Sequence, residues 1–572
     1  MEATLADQFR TALAQLPDLP DGFAVADVEV EFQTPKDPTH GDLATNVAMQ
    51  LARPLRRSPR AIADALVETI ELDPSRVASV EVAGPGFINI RFASRYLADG
   101  LAEILDAGPS YGRTTDGAGK TALVEYVSAN PTGPLTVAHG RNAVLGDTLA
   151  NLLDWTGWEV SREYYFNDAG RQMRVLGQSV QARYHALVDP STPTRQLDDG
   201  TVVPEGFPDD GYRGGYITDI AQALVEEQGD GLMDAEDESA FRKAAQEAIF
   251  ADIDAALKRL GVEMDNHFNE RDLYESDAVW DVVHRLKDAG YIYEQDGATW
   301  FKTSELGKTE TTPEGEEIGK DVVLVKSSGE PTYRLPDIAY HLNKLDRGFD
   351  LSLDIFGADH IATYPDVLCG VKALGGDPSK IDVVVYQFVT LVQGGELVKM
   401  STRKATYVTL DELMDEVSAD VVRFFFLMRS PNTHLEFDLD LAKEASDKNP
   451  VFYLQYAHAR IASIERKAAE TGLTRQLDAD LSLLSHEAEE TLIKTLLLFP
   501  DEVRQAADAR APHRLATYLR EVATAFNQFY RDCRIVGEAT ELAEARLALA
   551  HAARTVLGNG LAVLGISAPE SM

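Results

Sequence analysis

A chain of 572 residues with 44% hydrophobic content is too long for one core, and three or four globular domains are expected. Acidic residues outnumber basic ones 93 to 54, a formal net charge of −39 spread over the whole length. Two distant cysteines, Cys369 and Cys533, form no CxxC pair, which excludes a cysteine-rich zinc site and argues against a disulfide framework, and no run of about 18 apolar residues marks a membrane-spanning helix.

A balance this acidic suits a protein that works in concentrated salt. At about 1 M salt the Debye length is roughly 3 Å, so self-repulsion is screened. For the same reason the net charge does not rule out a polyanionic partner held by a local basic patch, although counterion release then contributes little. The opening MEATLADQFRTALAQL is amphipathic and acidic with no apolar signal-like segment, so a cytoplasmic protein is expected.

Residues 1 to about 110 read as a small α/β module. A helix from about Ala3 to Leu16 leads to a strand over Val25 to Gln33 with period-2 alternation. Helices follow at about Thr45 to Leu51 and Pro59 to Ile70, then two strands, VASVEVA and GFINIRF, split by Gly84-Pro85-Gly86. Arg53, Arg56, Arg57 and Arg60 are the basic cluster of this region, either a solvated face or a nucleic-acid contact. Gly108 to Lys120 is linker-like.

A βαβ unit comes next. LVEYV is a buried strand, Ser128 to Pro134 is a turn with two prolines and a glycine, and Leu145, Leu149 and Leu152 recur at helical spacing. Gly157 lies where a left-handed cap belongs, and a second strand runs over Glu159 to Tyr165. Such a unit puts a helix N-terminus at the carboxyl edge of a parallel sheet, where free N–H groups and the helix dipole favour phosphate. His139 and Gly140 fall in that first turn.

From about 185 to 300 the βαβ rhythm is lost, and acidic loops and a helix over Glu238 to Leu260 read as an insertion in the nucleotide fold. The rhythm returns with DVVLVK at 321–326, then LSLDIFG, a helix opened by Asp359-His360 and running to about Leu374, and IDVVVYQFVTLV as another buried strand. A hairpin turn at Gln393 to Glu396 leads into Lys399-Met400-Ser401-Thr402-Arg403-Lys404. A basic hexapeptide in so acidic a chain points to a cationic clamp on a triphosphate, because charge develops on the leaving pyrophosphate. Beyond about Asp447 the pattern is helical to the end, four to six amphipathic helices.

The Pro/Gly turn with its helix and the basic loop are similar to the HIGH and KMSKS motifs of class I aminoacyl-tRNA synthetases. SANPTGPLTVAHGRN, REYYFNDAGRQM, YRLPDIAYHLNKLDRGFD, KMSTRKATYVTLDEL, HLEFDLDLA and NPVFYLQYAHAR, in that order, resemble arginyl-tRNA synthetases over essentially the whole chain. The resemblance implies a multidomain α/β fold. A Rossmann-type catalytic core (111–445, with the insertion at about 185–300) lies between a small N-terminal tRNA-elbow-binding α/β domain (1–110) and an all-α anticodon-binding bundle (446–572). It implies ligation of L-arginine to tRNA(Arg) through an arginyl-adenylate, with ATP and its accompanying Mg2+ as substrate, no protein-held metal, tRNA-dependent activation and a monomeric chain. The chain departs from the pattern where Thr136 stands for the first histidine of HIGH, Ala138 for its glycine, and Thr402 for the second lysine of KMSKS, beside Arg403 and Lys404.

Carried over position by position, the catalytic set is Thr136, His139, Lys399, Ser401, Arg403 and Lys404. Pro131, Gly133, Ala138, Gly140, Asp359, His360 and Met400 fall at ATP-binding positions. Glu125, Ser128, Asn130, Tyr333 and Asp337 fall at arginine-binding positions, and either Tyr364 or Asp366 lines that pocket. A guanidinium presents five donors and a permanent charge, so carboxylates are its natural partners. Candidate tRNA contacts are Asn46, Tyr456, Arg460, Tyr518, Asn527, Tyr530 and Arg534, since aromatic and arginine side chains stack on splayed bases. A synthetase-like protein without catalysis and a synthetase for another amino acid, such as cysteine, are the competing readings; the acidic pocket and the lack of zinc-ligand cysteines speak against the second.

Overall fold

The structure is a computed structural model and describes residues 2–572 apart from 18, 21, 34, 36, 169, 199, 312–315, 399–407, 475, 477 and 478. Its centre is a sheet of five parallel strands: β1 (Thr121–Glu125), β2 (Glu159–Phe166), β3 (Asn266–Asn269), β4 (Leu351–Gly357) and β5 (Ile381–Tyr386). Their order is β5-β4-β1-β2-β3. Short apolar runs such as TALVE and IDVVVY suit strands covered on both faces. The order reverses between β1 and β4, and in open α/β sheets the crevice at that switch, beyond the strand ends, is where ligands bind.

Helix α1 (Val137–Trp155) crosses from β1 to β2 and is buried on nearly every side. It packs tightly on the chain after β1, where a Cβ at Gly146 would overlap the Tyr126 ring. Helix α2 (Arg334–Asp346) precedes β4, and α3 (Tyr364–Ala373) joins β4 to β5. Helices α4 (Pro450–Glu470), α5 (Glu487–Leu497), α6 (Phe499–Asp508), α7 (Pro512–Asp532) and α8 (Thr540–Val563) form the C-terminal bundle. The core of that bundle is continuous with the sheet core. Arg423 helps join them: its buried guanidinium donates to the carbonyl oxygens of Leu260 (3.1 Å) and Leu564 (2.9 Å) and pairs with Asp147.

Several expected elements are corrected. Val25 to Gln33 is a 3-10 turn (Val25–Asp27) and extended chain with a lone bridge from Gln33 to Ala44. Its alternating apolar residues pack on the N-terminal core, but no partner strand supplies a ladder. Thr45 ends a strand (Leu43–Thr45), and the helix expected there runs over Val47–Leu55. A helix over Ser94–Ala107, absent from the sequence-based expectation, places Leu97, Leu101 and Ile104 in the large core; the separate N-terminal core ends near Phe92.

The stretch read as an insertion carries β3, the edge strand of the main sheet. Val322–Val325 belongs instead to a small antiparallel sheet with Ile292–Gln295 and Ala298–Phe301. IDVVVYQFVTLV is two strands in two sheets, broken at Gln387-Phe388. Asp359-His360 forms a 3-10 turn, and the helix begins only at Tyr364, with Pro365 in its first turn.

Candidate active site

The site begins where β1 ends. Val127 and Ser128 both take left-handed φ values, +66° and +40°, unusual for any residue with a side chain and strained for a β-branched one. Asn142 of α1 fixes this kink: its Oδ1 accepts from the Val127 N–H at 2.6 Å and its Nδ2 donates to the Ile355 carbonyl oxygen at 2.8 Å. The kink turns the Ser128 hydroxyl back to donate to Glu125 at 2.9 Å, while its Oγ accepts from the Tyr165 N–H at 3.1 Å. Asn130 is exposed and donates to Gln172 at 2.9 Å. Pro131 is buried, and the Tyr216 hydroxyl donates to the Thr132 carbonyl oxygen at 2.5 Å. A Cβ at Gly133 would meet that hydroxyl at 2.9 Å.

Thr136 is the N-cap of α1, and His139 Nδ1 accepts its backbone N–H at 3.1 Å. Nδ1 is therefore unprotonated and Nε2 carries the hydrogen. Burial pushes the His139 pKa down to about 4, so the ring is a neutral donor near neutral pH. Ala138 and Gly140 flank it in the first turn, and Leu410 packs where a Cβ on Gly140 would stand. The basic loop Lys399, Met400, Ser401, Thr402, Arg403 and Lys404 lies outside the described residues. Just after it, Thr409 bridges to Thr136, and the Leu410 N–H donates to the Leu135 carbonyl oxygen at 2.8 Å. The chain leaving the loop is thus anchored at the N-terminus of α1.

Beneath the kink runs a row of carboxylates. Asp354 of β4, Glu125 of β1 and Glu163 of β2 are in register on adjacent parallel strands, followed by Asn266 of β3. In-register neighbours share a sheet face. Helix α2 lies along the row and presents Asp337, Tyr340, His341, Lys344 and Arg347, a stripe at helical spacing. Arg347 donates twice to Glu163, at 2.6 and 2.7 Å, and the Tyr340 hydroxyl donates at 2.6 Å. Burial works against the Glu163 charge, but these donors hold its pKa below the ordinary value.

Two carboxylates stand apart because, among the described residues, neither has a cation within ion-pair distance. Asp337 is half-buried, and burial, reinforced by Glu125, pushes its pKa up to about 6 against the pull of His341, His360 and Lys344. Glu270, first residue of the helix Glu270–Glu275, is buried; its own pKa is pushed up to about 7, by burial and by Asp337 and Asp168, although the Tyr165 hydroxyl donates to it at 2.9 Å. Sequence reading missed Glu270. Its one signal was an Asn-Glu-Arg helix start, which any surface helix can show.

Asp337 also lines a pocket with His341, Phe356, His360, Thr363 and Tyr364. Tyr364 faces the pocket, whereas the Asp366 carboxylate is fully buried and held by Lys308 and by Arg334 at 2.7 Å. Tyr333 caps the start of α2 and is largely exposed at the rim. Asp359 and His360 are exposed, with the His360 ring stacked on Phe356 at 5.2 Å. Among the described residues no group of three His, Cys, Asp or Glu side chains is placed to hold a metal ion.

In the bundle, Arg460 stacks over the exposed rings of Tyr456 and Tyr530, 4.5 and 5.6 Å from their centroids, and donates to Asn527 at 3.1 Å. Arg534 is exposed nearby in sequence. Tyr518 is a correction: it is a core residue whose hydroxyl donates to the Thr495 carbonyl oxygen at 2.9 Å, leaving nothing to offer a base. Asn46 precedes the helix Val47–Leu55 and accepts from the Gln50 amide at 2.8 Å.

Comparison with known proteins matches all three regions. Residues 3–92 match the arginyl tRNA synthetase N terminal domain, 101–426 the class I (R) tRNA synthetase catalytic domain, and 454–572 the DALR anticodon binding domain. The chain is 60% identical over 577 residues to the arginine–tRNA ligase of Salinibacter ruber, covering 100% of each chain. It is 48% identical over 542 residues to that of Desulfotalea psychrophila, covering 94% of each. The solved arginyl-tRNA synthetase of Thermus thermophilus superposes over 100% of both chains with a TM-score of 0.75 at 22% identity, a likeness of fold.

Proposed function

The chain belongs to the arginyl-tRNA synthetase family, and from that premise we propose how its residues divide the work. It ligates L-arginine to its tRNA in an ATP-dependent reaction. The observation that carries the assignment of residues is the pair of carboxylates, Asp337 and Glu270, each without a cation of its own among the described residues.

The guanidinium lies between Asp337 and Glu270, with Tyr333 closing the rim and Tyr364 lining the wall. Two carboxylates without a cation of their own form an anionic slot that the planar, permanently charged fork of arginine fits. Glu125 at the end of β1, with Ser128 and Asn130 on the turn after it, holds the other end of the amino acid. ATP, taken up with Mg2+ as part of the substrate, lies over the turn Pro131 to Gly140. The N–H groups and dipole of α1 favour its phosphates, and small side chains at Ala138 and Gly140 allow close approach. His139 Nε2 donates to phosphate as a neutral ring, and the 399–404 loop supplies cations at the pyrophosphate.

The arginine carboxylate is already a nucleophile. It attacks the α-phosphorus and pyrophosphate leaves; a hydroxyl at the tRNA 3′ end then attacks the arginyl carbonyl carbon, the bond to phosphate breaks, and AMP leaves, its phosphate taking up the hydroxyl proton. Activation is therefore positioning and charge stabilisation with no general base. Tyr456, Arg460, Asn527, Tyr530 and Arg534 offer a stacking face to unstacked bases, and Asn46 is the contact contributed by the N-terminal domain. A single copy is the working unit in this reading, a point for light scattering. The charge of −39 supports function in concentrated salt.

The test is pyrophosphate exchange in molar KCl, with tRNA present, across the twenty amino acids. Arginine alone is expected to support exchange, and no exchange with arginine refutes the reading. Asp337→Asn is expected to raise the arginine KM by roughly 30-fold or more, the cost of removing one partner of a desolvated charge pair, with the ATP KM nearly unchanged.

A further inference from the structure

Lys344 has no exposed surface. Its ammonium donates to Glu125 Oε2 at 2.5 Å and to Asp354 Oδ1 at 2.6 Å, and sits 4.3 Å from the centroid of the Tyr340 ring. A lysine is sealed from water only where opposite charge holds it. Burial here opposes the charge, but the two carboxylates outweigh burial and lift the pKa above the ordinary lysine value. On its other side Asp354 meets His341 Nε2 at 2.9 Å, while His341 Nδ1 lies 2.7 Å from the Asp337 carbonyl oxygen. Each ring nitrogen of His341 thus faces an oxygen. Glu125, Lys344, Asp354 and His341 form a buried hydrogen-bonded chain that spans β1, α2 and β4 and ends on the backbone of Asp337.

Stability is a poor reason for such a chain, because apolar residues of similar volume in place of a buried ion pair are often as stable or more so. Fixed geometry is a better one. Glu125 stands on a strand and Asp337 on a helix, and Lys344 is the group of α2 that grips the Glu125 carboxylate directly. We propose that Lys344 is a positioning residue for arginine: it sets the Glu125 carboxylate relative to Asp337 and cancels its charge, so that the free anionic charge of the pocket rests on Asp337 and Glu270. This rests on the reading that Glu125 contacts arginine.

The test is a double-mutant cycle on arginine-dependent pyrophosphate exchange in molar KCl with tRNA present, using Lys344→Met, Glu125→Gln and the pair. Lys344→Met is expected to raise the arginine KM by roughly 10- to 100-fold, the scale of a catalytic-site group displaced by about 1 Å, and to leave the ATP KM within about twofold. The double variant is expected to match Glu125→Gln alone, because Lys344 acts through Glu125. Effects that multiply overturn the proposal. An unchanged arginine KM in Glu125→Gln instead overturns the reading of Glu125 as an arginine contact, a distinct failure. If Lys344→Met does not fold, Lys344→Arg replaces it; this keeps the charge but displaces the carboxylate. It is expected to raise the arginine KM when Glu125 is intact and to have no further effect in the Glu125→Gln background. A further rise in that background overturns the proposal.

Discussion

At the scale of single residues, the site is defined by which charges are paired. Glu125, Glu163, Asp354 and Asp366 are buried and matched by lysine, arginine or histidine. Among the described residues Asp337 and Glu270 have no such partner, and burial raises the pKa of each. The sign is direct: the guanidinium binds the ionised carboxylates, so protons compete with arginine as pH falls through 7 and then 6. The kcat/KM for arginine is expected to drop roughly tenfold between pH 8 and pH 6, while the ATP KM stays flat over the same range. A pH-independent arginine KM would contradict the assignment. His139 adds nothing to this profile, since with a pKa of about 4 it remains neutral across it.

Among elements, α1 and α2 carry the design. Helix α1 serves phosphate through its N-terminus and packs flat on the strained turn through Gly146. Adding a methyl at that point has no room, and Gly146→Ala is expected to cost about 1–3 kcal/mol by overpacking. It should therefore lower the thermal midpoint of activity by a few degrees, together with a higher arginine KM as Tyr126 shifts the kink; a variant as stable and active as the parent would show that the packing is looser than described. Tyr333 and Asp337 stand one helical turn apart in the sequence, but that Lys344 and Arg347 point into the carboxylate row is visible only in the structure. Sequence period shows which residues share a face, and not what lies opposite that face.

For the whole molecule, charge and topology matter most. The net charge of −39 makes the compact state self-repelling in dilute buffer. Raising KCl from about 0.1 M to 1 M, which shortens the Debye length from about 10 Å to 3 Å, is expected to raise the thermal midpoint and the exchange rate together. A midpoint that falls with KCl would refute the salt-adapted reading.

The sequence by itself determined the family, the order of the regions and the βαβ unit with its turn, and it supplied most of the residues proposed for the arginine and ATP positions. These depend on local signals: apolar period, Pro/Gly punctuation and residue types at short spacing. Only the tertiary structure shows that Glu270, like Asp337, has no cation beside it among the described residues, that Tyr364 faces the cavity beside Asp337 while the Asp366 carboxylate is buried against Lys308 and Arg334, that Tyr518 is core, and that Asn266–Asn269 completes the sheet. Each depends on contact between segments far apart in sequence, Glu270 lying 67 residues before Asp337 in the chain. Whether a carboxylate is free or cancelled is set by what the fold brings against it, and no window of sequence contains both partners.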